Sequence, residues 1–504
     1  MTKRNLPTRL SMNNDARKLP KRLASAHNWK HLARWNGEGY YDLRTEDIGD
    51  VPVRLFLTPK LLEATEDIIY RQIVNATRFP GVRLVAITPD THYGYGVPVG
   101  CVILTDAHEG AVAMGPVGYD IGCGMVSAKS EIPVDAATPD KRLAFNREVM
   151  KLVDMGAGGK SIKLGTVDRA EFDKLVHGGA EYYVEKYGAT FDRSRAERHR
   201  MPVDDDWQPP LGGKGRPERG MSQLGSLGGG NHFIELQRCE ETHTLFVQAH
   251  TGSRGWGHGL ATNYFEMARA EKPEVITDID LGYFTPESNH YRDYLNAVAA
   301  GGNFAIINRL VIFEQVAEAF REVFGGELEL IYEISHNLVQ KEQHPEFGRV
   351  LVHRKGATRA FPAGHPALEG TIWETSGHPV LIPGSNKDWS YILRPAAGAV
   401  SSGYSVNHGA GRRMSRSEAG RTLNQRAVDD EYAAAGIVVN TDGRVPLDEA
   451  AICYKASEEV VAAVVGAGLA TIEYKLWPLA SLKGTEGLRG RKSRRGNRKT
   501  SKHY

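Results

Sequence analysis

Cysteine is scarce in this sequence, which has four among 504 residues. The four are Cys101, Cys123, Cys239 and Cys453. Thiols this few and this irregularly spaced argue against a disulfide framework and favour a reducing compartment. The first six residues are polar and lack the apolar core of a signal peptide. The longest apolar run, about 460–472, is shorter than the ~20 residues that a membrane span needs. We therefore expect a cytoplasmic protein without membrane association.

A large excess of charge of either sign is also lacking. The sequence has 63 Lys and Arg and 61 Asp and Glu, for a formal net charge of +2. A hydrophobic content of 41% and a charged content of 25% exclude disorder across the whole chain. Positive charge is concentrated in two segments. Residues 1–22 carry seven Lys or Arg and one Asp, and residues 485–504 carry eight and one Glu. These basic ends indicate either contact with nucleic acid or two solvated tails.

Helical patterns and short β-rich runs alternate along the chain, which predicts an α/β fold of the mixed α+β kind. Helices are predicted over 59–75, 139–155, 169–185, 291–324, 415–435 and 449–466. Strands are predicted over 82–87, 99–104, 244–250, 328–334, 349–354 and 379–382. Residues 204–220, rich in Asp, Pro and Gly, are predicted to form an exposed loop. We expect one large catalytic domain over 1–484 and a basic, disordered tail over 485–504.

Glycine is abundant, with 55 residues, and it clusters in short patches. Because glycine lets the backbone turn sharply or approach a ligand closely, these patches predict a site assembled from several loops. One of them, 154–161, approaches a phosphate-binding loop. Asp154 stands where that loop requires its first glycine, which excludes this interpretation.

Candidate metal ligands lie in or beside these patches. Asp120 and Cys123 are separated by two residues between glycines, so a carboxylate and a thiolate could share or bridge metal ions. His232, His250 and His336 each stand at the edge of a strand-like run. Taken singly, residues of these types more often have a structural role, as a buried thiol, a turn carboxylate or a hydrogen-bonded imidazole. Together they favour a two-metal site, for which the donor types alone suggest Zn²⁺ or Co²⁺.

Residues 405–416 place His408 before two glycines and three arginines. Free backbone N–H groups and guanidinium groups bind phosphate oxygens, and a neutral imidazole can attack phosphorus. The alternative is a loop before a helix with solvent-exposed arginines. The segments 353–359 and 383–390 also suit an anionic ligand.

Several motifs of this chain coincide with those of one family, and the sequence resembles the RtcB RNA ligases. The longest are Pro-Asp-Thr-His-Tyr-Gly-Tyr-Gly (89–96), Gly-Tyr-Asp-Ile-Gly-Cys-Gly (118–124), Leu-Gly-Ser-Leu-Gly-Gly-Gly-Asn-His-Phe-Ile-Glu (224–235), His-Thr-Gly-Ser-Arg-Gly-Trp-Gly-His (250–258), His-Arg-Lys-Gly-Ala-Thr-Arg-Ala-Phe-Pro (353–362) and His-Gly-Ala-Gly-Arg (408–412). The shorter Ser-His-Asn (335–337) and Tyr-Lys (454–455) match as well. The match runs in order from about residue 40 to Gly484.

The resemblance implies a reaction. Such ligases join an RNA 3′-phosphate or 2′,3′-cyclic phosphate to a 5′-hydroxyl, in tRNA splicing or RNA repair, with GTP and two Mn²⁺ per active site. His408 matches the histidine that takes up GMP and passes it to the RNA 3′-phosphate. The implied metal ligands are Asp120, Cys123, His232, His250 and His336, with Cys123 as the bridge. The implied GTP site comprises Asn231, Glu235, Asn337, Ser385, Ser390, Gly409, Gly411, Arg412, Tyr454 and Lys483.

Three further expectations follow from the resemblance. Glu235 would confer a preference for guanine, because a carboxylate accepts from guanine N1–H and N2–H₂ and adenine offers no such pair. RNA phosphates would be met by Arg254, Arg412 and the 353–359 segment. The resemblance also allows for an activating protein as a further partner.

The chain also departs from the family pattern. Met125 and Val126 follow Cys-Gly where Val-Arg is usual, Gly122 replaces an Asn, and Asn407 replaces a common Cys. These departures remove no proposed ligand, and they indicate a divergent branch.

Two other functions compete with ligation. A dinuclear metal phosphodiesterase would open cyclic phosphates with the Asp, Cys and His set and would have no use for Glu235 or Lys483. A non-catalytic RNA-binding protein would rely on the 485–504 tail, whose single aromatic residue, Tyr504, limits base stacking.

Overall fold

The computed structural model describes residues 28–196 and 199–484. The basic segments 1–22 and 485–504 lie outside the described residues, so the predicted tail stays a prediction. Helices and strands occur together along the described chain, as the predicted mixed α+β class requires.

The described helices are α1 (Trp29–Leu32), α2 (Pro59–Ala64), α3 (Ile69–Ala76), α4 (Pro139–Leu152), α5 (Arg169–Tyr187), α6 (Glu218–Met221), α7 (Arg254–Glu271), α8 (Tyr291–Phe324), α9 (Arg416–Thr422), α10 (Gln425–Ala434) and α11 (Ser457–Gly466). The described strands in the first half are β1 (Ala33–Trp35), β2 (Tyr41–Leu43), β3 (Val53–Leu55), β4 (Val82–His92), β5 (Val99–Asp106), β6 (Val112–Ala113), β7 (Gly124–Pro133), β8 (Phe233–Cys239) and β9 (Thr244–Thr251). Those in the second half are β10 (Tyr283–Phe284), β11 (Glu329–Ser335), β12 (Asn337–His344), β13 (Gly348–Lys355), β14 (Ala357–Arg359), β15 (Val380–Ile382), β16 (Ser390–Pro395), β17 (Ser405–Asn407), β18 (Val438–Val439) and β19 (Ala470–Lys483).

Two large sheets organise the described residues. The first sheet has the order β1-β2-β3-β4-β5-β13-β12, and the second has the order β11-β7-β9-β8-β19-β16-β15 with β18 beside β19. Neighbouring strands are antiparallel except in the pairs β3–β4 and β18–β19. The chain passes from the second sheet to the first between β11 and β12, where His336 is the one residue between the two strands.

Register aligns the ends of four adjacent strands in the second sheet. Gly124 at the start of β7 pairs with Ser335 at the end of β11 and with Thr251 at the end of β9. Phe233 at the start of β8 pairs with His250 of β9. These strand ends therefore meet at one edge of the sheet, next to the crossover into the first sheet.

Helix α8 packs against this second sheet and against α4 and α5. It is long and apolar enough to cross a membrane, but 94% of its most apolar 18-residue window is buried inside the protein. A helix that is apolar on all sides and buried in this way is a core helix.

Much of the secondary-structure prediction is confirmed. The helix over 291–324 has the predicted bounds, and all six predicted strands are present. Three helix predictions are wrong in part. The predicted helix 59–75 is interrupted between α2 and α3, and 415–435 breaks at Asn424, whose side chain caps α10 by accepting from the Ala427 N–H. Within 449–466 the helix begins only at Ser457, because Tyr454 is drawn into a bridge with Arg412.

Helix α7 was not predicted, because glycines in 252–259 argue against a helix. Gly259 is instead needed for packing, since a Cβ there would lie 1.9 Å from the Lys214 carbonyl oxygen. The 204–220 segment is an irregular loop that ends in α6, as predicted in part, but it is not simply exposed. Its Trp207 side chain is buried.

Arg309, in the middle of α8, is completely buried. Its guanidinium forms an ion pair with Glu333 of β11. It also donates to the Gly122 carbonyl at 2.6 Å, the Thr251 carbonyl at 3.0 Å and Ser335 Oγ at 2.6 Å. One side chain thus ties the core helix to three of the aligned strand ends.

We expect Arg309→Met to lower the free energy of unfolding by about 3–5 kcal/mol, because the buried Glu333 carboxylate loses its guanidinium partner and keeps, among the described residues, only His199 Nδ1 at 3.2 Å. Urea denaturation followed by circular dichroism measures the change. Arg321→Met is the matched control, since Arg321 lies on the same helix and pairs with Glu327 at the surface. Equal effects of the two substitutions would contradict the role given to Arg309.

Candidate functional site

A cavity of about 340 Å³ opens where the two sheets meet. Its wall combines the aligned strand ends of the second sheet with residues of β4, β5 and β13 from the first sheet and with the loop after β17. The predicted metal ligands and the predicted nucleophile are brought together here.

The five predicted metal ligands form two groups of three. Asp120, Cys123 and His232 make one group, and Cys123, His250 and His336 make the other. The ligand atoms of each group all lie within 4.8 Å of one another. Cys123 belongs to both groups, as expected of a bridging thiolate.

Individual distances show how closely these atoms converge. Cys123 Sγ lies 3.2 Å from His250 Nε2 and 3.6 Å from His232 Nε2. His250 Nε2 lies 3.3 Å from His336 Nε2, and His232 Nε2 lies 3.1 Å from Asp120 Oδ2. Nitrogen, sulfur and carboxylate donors therefore face a common volume that suits a pair of divalent cations.

The sheet register explains this convergence. Cys123 directly precedes β7, His336 directly follows β11, His250 lies near the end of β9, and His232 directly precedes β8. Because these strands are neighbours with aligned ends, residues that are distant in sequence become adjacent. The His336 N–H donates to the Cys123 carbonyl at 2.7 Å and closes the gap between two of the ligands.

Hydrogen bonds on the outer side of the ligands fix their orientation. The Nδ1–H groups of His232 and His250 point at the carbonyl oxygens of Leu227 at 3.0 Å and Asn231 at 3.1 Å. Nε2 is therefore the atom of each ring that can bind a cation in the cavity. The Ser253 N–H donates to Asp120 Oδ1 at 3.1 Å.

Burial determines the protonation of the ligands before any cation binds. It lowers the pKa of His250 and of His336 well below the usual histidine value, so both rings are neutral donors. Burial, reinforced by the charge of Asp120, raises the pKa of the Cys123 thiol. Burial opposes ionisation of Asp120 too, but the hydrogen bond and charge of His232 outweigh it and bring the pKa of Asp120 to about 2. A bound cation would favour the thiolate and reverse the shift at Cys123.

His408 lies on the cavity wall beside these ligands, and its ring stands edge-on to His336 with centroids 4.9 Å apart. Its Nδ1 lies 2.6 Å from Asp90 Oδ2. The same carboxylate oxygen accepts from the backbone N–H of His408 at 3.1 Å and of Gly409 at 3.3 Å. Because Nδ1 is engaged, Nε2 is the nitrogen left to react in the cavity.

Sequence reasoning missed Asp90. It is completely buried near the end of β4, and the Thr88 hydroxyl donates to its second oxygen at 2.6 Å. Burial would raise the pKa of Asp90, but the charge and hydrogen bond of His408 prevail and lower it. The available signal was an acidic residue at the end of an apolar strand, inside the quoted 89–96 motif.

Most of the residues predicted to hold GTP line the cavity. These are Asn231, Asn337, Ser385, Gly409, Gly411, Arg412, Tyr454 and Lys483. The other two, Glu235 and Ser390, lie behind the wall, with 2% and 0% of their surface exposed. The Gln237 amide joins them by donating to Glu235 Oε2 at 2.7 Å and to Ser390 Oγ at 3.1 Å.

A second missed residue, Glu449, organises this part of the wall. Its buried carboxylate accepts from the Tyr454 hydroxyl at 2.5 Å and pairs with Arg412 at 3.3 Å and Lys483 at 3.7 Å. No motif in the sequence pointed to Glu449, which falls in the part of the predicted helix 449–466 that precedes the observed start at Ser457.

The predicted RNA contacts of Arg254 and Arg354 are wrong. Arg254 is 7% exposed and donates to the Gly156 carbonyl and to Ser226 Oγ, so it braces the glycine-rich loops. Arg354 is 1% exposed and paired with Glu342. The positive charge of these two residues suggested contact with RNA phosphates. Their guanidinium groups are instead buried and bind partners inside the protein.

The departures from the family pattern are accommodated locally. Gly122 has φ +74°, and a Cβ there would lie 2.9 Å from the Gly302 Cα of α8, which explains a glycine at this turn. Asn407 is buried and donates to the Gly409 carbonyl at 2.8 Å, so it shapes the loop that carries His408.

Comparison with known proteins agrees with this geometry. The family model described as tRNA-splicing ligase RtcB matches residues 72–484. The tRNA-splicing ligase RtcB of Thermococcus kodakarensis is 35% identical over 465 residues, which cover 86% of this chain and 95% of that protein. The RNA-splicing ligase RtcB of Mycobacterium bovis is 35% identical over 437 residues, covering 82% of this chain and all of that protein. With two ligand triads sharing Cys123, His408 beside them and similarity over most of its length, the chain belongs to the RtcB family.

Proposed function

We propose that this protein is an RNA ligase that joins a 3′-phosphate or 2′,3′-cyclic phosphate end to a 5′-hydroxyl end through GMP bound to His408. The observation that carries the proposal is the pairing of His408 with Asp90 at the edge of a two-triad metal centre. A carboxylate on Nδ1 orients the imidazole and stabilises its positive charge while Nε2 acts as a nucleophile. Similarity to tRNA-splicing ligases supports RNA as the substrate.

The donor set fits two divalent cations, and we propose Mn²⁺. Each triad offers three ligand atoms, and His232 and His250 are locked by backbone carbonyls. When bound, the ions would neutralise phosphate charge and align the leaving group. The thiolate makes the set softer than Mn²⁺ usually prefers, so we expect Zn²⁺ and Co²⁺ to compete.

His408 would then perform two transfers. Its Nε2 attacks the α-phosphorus of GTP, forming a P–N bond as the bond to pyrophosphate breaks. The RNA 3′-phosphate oxygen next attacks the same phosphorus, which releases His408 and leaves GMP on the RNA end. The RNA 5′-hydroxyl finally attacks the activated 3′-phosphate and displaces GMP. Throughout, Asp90 holds the Nδ1 proton and the ring plane in place.

The cavity wall has donors for a nucleotide. Gly409 and Gly411 line the cavity without side chains that would block a ligand, and Arg412 and Lys483 supply positive charge. Ser385 Oγ is buried and has no hydrogen-bond partner among the described residues, so a polar ligand atom would satisfy it. The positive charge of Lys483 is close enough to Glu235 to stabilise its carboxylate. We propose that this carboxylate accepts from the guanine edge once the Gln237 side chain turns away.

The phosphodiesterase alternative would need the metal centre alone. It leaves the Asp90–His408 pair and the cationic wall near Lys483 without a role, and for this reason we favour ligation. In the cell we place the enzyme in the cytoplasm, acting in tRNA splicing or RNA repair, with an activating protein as an additional partner.

The GMP adduct tests the proposal directly. With Mn²⁺ and α-labelled GTP, the wild type should retain label on a denaturing gel, in an acid-labile and alkali-stable bond, and ATP should give none. His408→Ala should abolish labelling. Asp90→Asn should slow it by about 100-fold, because the ring loses its fixed orientation. Labelling of His408→Ala at the wild-type level would show that His408 is not the nucleophile.

GTP binding should depend on pH through Glu235. Burial raises the pKa of Glu235 to about 7, against the opposing charge of Lys483. Guanine requires the carboxylate, so binding below that pKa must first release a proton. Affinity for a fluorescent GTP analogue should therefore rise roughly tenfold from pH 6 to pH 8 and then level off.

Glu235→Gln is the matched control, because the triphosphate ionises equally in both experiments. Its binding should be weaker and should lack the component between pH 6 and pH 8. An identical pH profile for the two proteins would mean that Glu235 does not meet the guanine.

Cobalt can report on the proposed metal bridge at Cys123. Co²⁺ added to the wild type should give a thiolate-to-cobalt charge-transfer band in the near ultraviolet and bind as two ions per chain. Cys123→Ala should lose the band, because both triads lose their sulfur. Cys239→Ala is the control, since Cys239 is equally buried but lies outside both triads. Retention of the band in Cys123→Ala would disprove the bridge.

A further inference from the structure

Two tyrosines stand exposed on a loop whose backbone is tightly held. Tyr93 and Tyr95, between β4 and β5, are 54% and 66% exposed. The backbone around them has side-chain partners at successive residues. The Tyr93 N–H donates to Glu66 Oε2 at 3.1 Å, and the Gly94 N–H donates to Gln72 Oε1 at 3.1 Å. The loop is therefore rigid while both rings face solvent.

The second half of the loop, residues 95–97, is held by side chains that bind its carbonyl groups. Lys355 Nζ donates to the carbonyls of Tyr95 at 2.5 Å and Val97 at 3.1 Å, and Asn75 donates to the Gly96 carbonyl at 2.8 Å. Burial lowers the pKa of Lys355 to about 8, so a cation is removed from water to hold two carbonyls. The rings of Tyr93 and Tyr95 gain little burial from this arrangement, since both remain largely exposed.

Tyr95 forms part of the cavity wall, and it continues an aromatic surface there. Its ring stands perpendicular to Tyr119 with centroids 6.2 Å apart, and Tyr119 stacks on Phe265 at 4.7 Å. The Tyr119 hydroxyl donates to Asp280 Oδ1 at 2.9 Å, which fixes its ring. Tyr119 immediately precedes the metal ligand Asp120, so this aromatic arm of the cavity adjoins the metal centre.

We propose that Tyr95, with Tyr119 beside it, is a stacking platform for a nucleobase of the RNA end that reacts at the metal centre. The inference rests on the proposed function, which brings an RNA end to this cavity. A planar base suits an exposed ring on a rigid loop, and stacking tolerates any base identity. Two tyrosine rings present too little apolar area for docking a folded protein.

The test measures RNA binding and needs no turnover. Full-length protein is titrated into fluorescently labelled RNA ten-mers, one with a 5′-hydroxyl and one with a 3′-phosphate. Each is prepared with a normal or an abasic nucleotide at the terminal position. Tyr95→Ala should weaken binding of the normal RNA by about tenfold for one of the two ends, the size of one lost stacking contact. The end that responds is the one whose base sits on Tyr95.

Three substitutions separate stacking from other effects. Tyr95→Phe should bind as the wild type does, because the ring is kept, whereas Tyr95→Leu should resemble Tyr95→Ala. Tyr187→Ala, an exposed tyrosine at the end of α5 away from the cavity wall, should bind as the wild type does. With the matching abasic RNA, wild type and Tyr95→Ala should bind equally.

Equal binding of both normal RNAs by wild type and by Tyr95→Ala would overturn the platform. A loss that persists with both abasic RNAs would overturn it too, since no base is then involved. The wild-type GMP adduct is measured separately. An adduct without a base-dependent effect leaves the ligase proposal standing alone, and a base-dependent effect without an adduct supports the platform and counts against ligation.

Discussion

The buried guanidinium of Arg309 is the contact on which the site depends. The site needs four strand ends to meet within a few ångströms, although the corresponding residues span more than two hundred positions of sequence. Main-chain pairing brings the strands side by side, but it leaves carbonyl groups at their ends without ladder partners. Arg309 lies on helix α8, which packs against this sheet. Its guanidinium donates to the carbonyls of Gly122 and Thr251 and to Ser335 Oγ. The planar five-donor geometry of arginine suits this task, and lysine could not reproduce it.

Buried carboxylates lie behind the reactive and cationic groups of the cavity. Asp90 stands behind His408, and Glu449 stands behind Arg412 and Lys483. Each carboxylate is removed from water and depends on its partner for compensation. The consequence is a cavity whose cations and imidazole keep fixed positions before a substrate arrives, so little reorganisation is needed on binding. An anionic substrate would then meet a wall that is already arranged for it.

Predictions from the sequence were correct where a structure depends on neighbouring residues. They failed where a residue's role depends on a partner that is distant in sequence. The α8 helix and the strand cores were readable, because apolar periodicity is a property of neighbouring residues. The five metal ligands were identified by motif resemblance, and the structure brings them together. Arg354 belongs to the segment predicted to meet RNA phosphates, but it pairs with Glu342 of the adjacent strand. Asp90 and Glu449 were missed because their roles appear only when distant segments meet. Helix α7 was missed because Gly259 serves close packing against the backbone at Lys214, which composition does not reveal.

Strand β19 lies in the middle of the second sheet, between β8 and β16, and carries Lys483 at its end. It is also the last strand of the described chain. During synthesis the metal-ligand segments leave the ribosome long before it does, yet the sheet that aligns them is open until β19 inserts. Such non-local pairing makes folding slow. We expect the four strands next to the metal ligands to pair first and to leave β8 as an open edge, so that β16 and β15 join this sheet only once β19 has emerged.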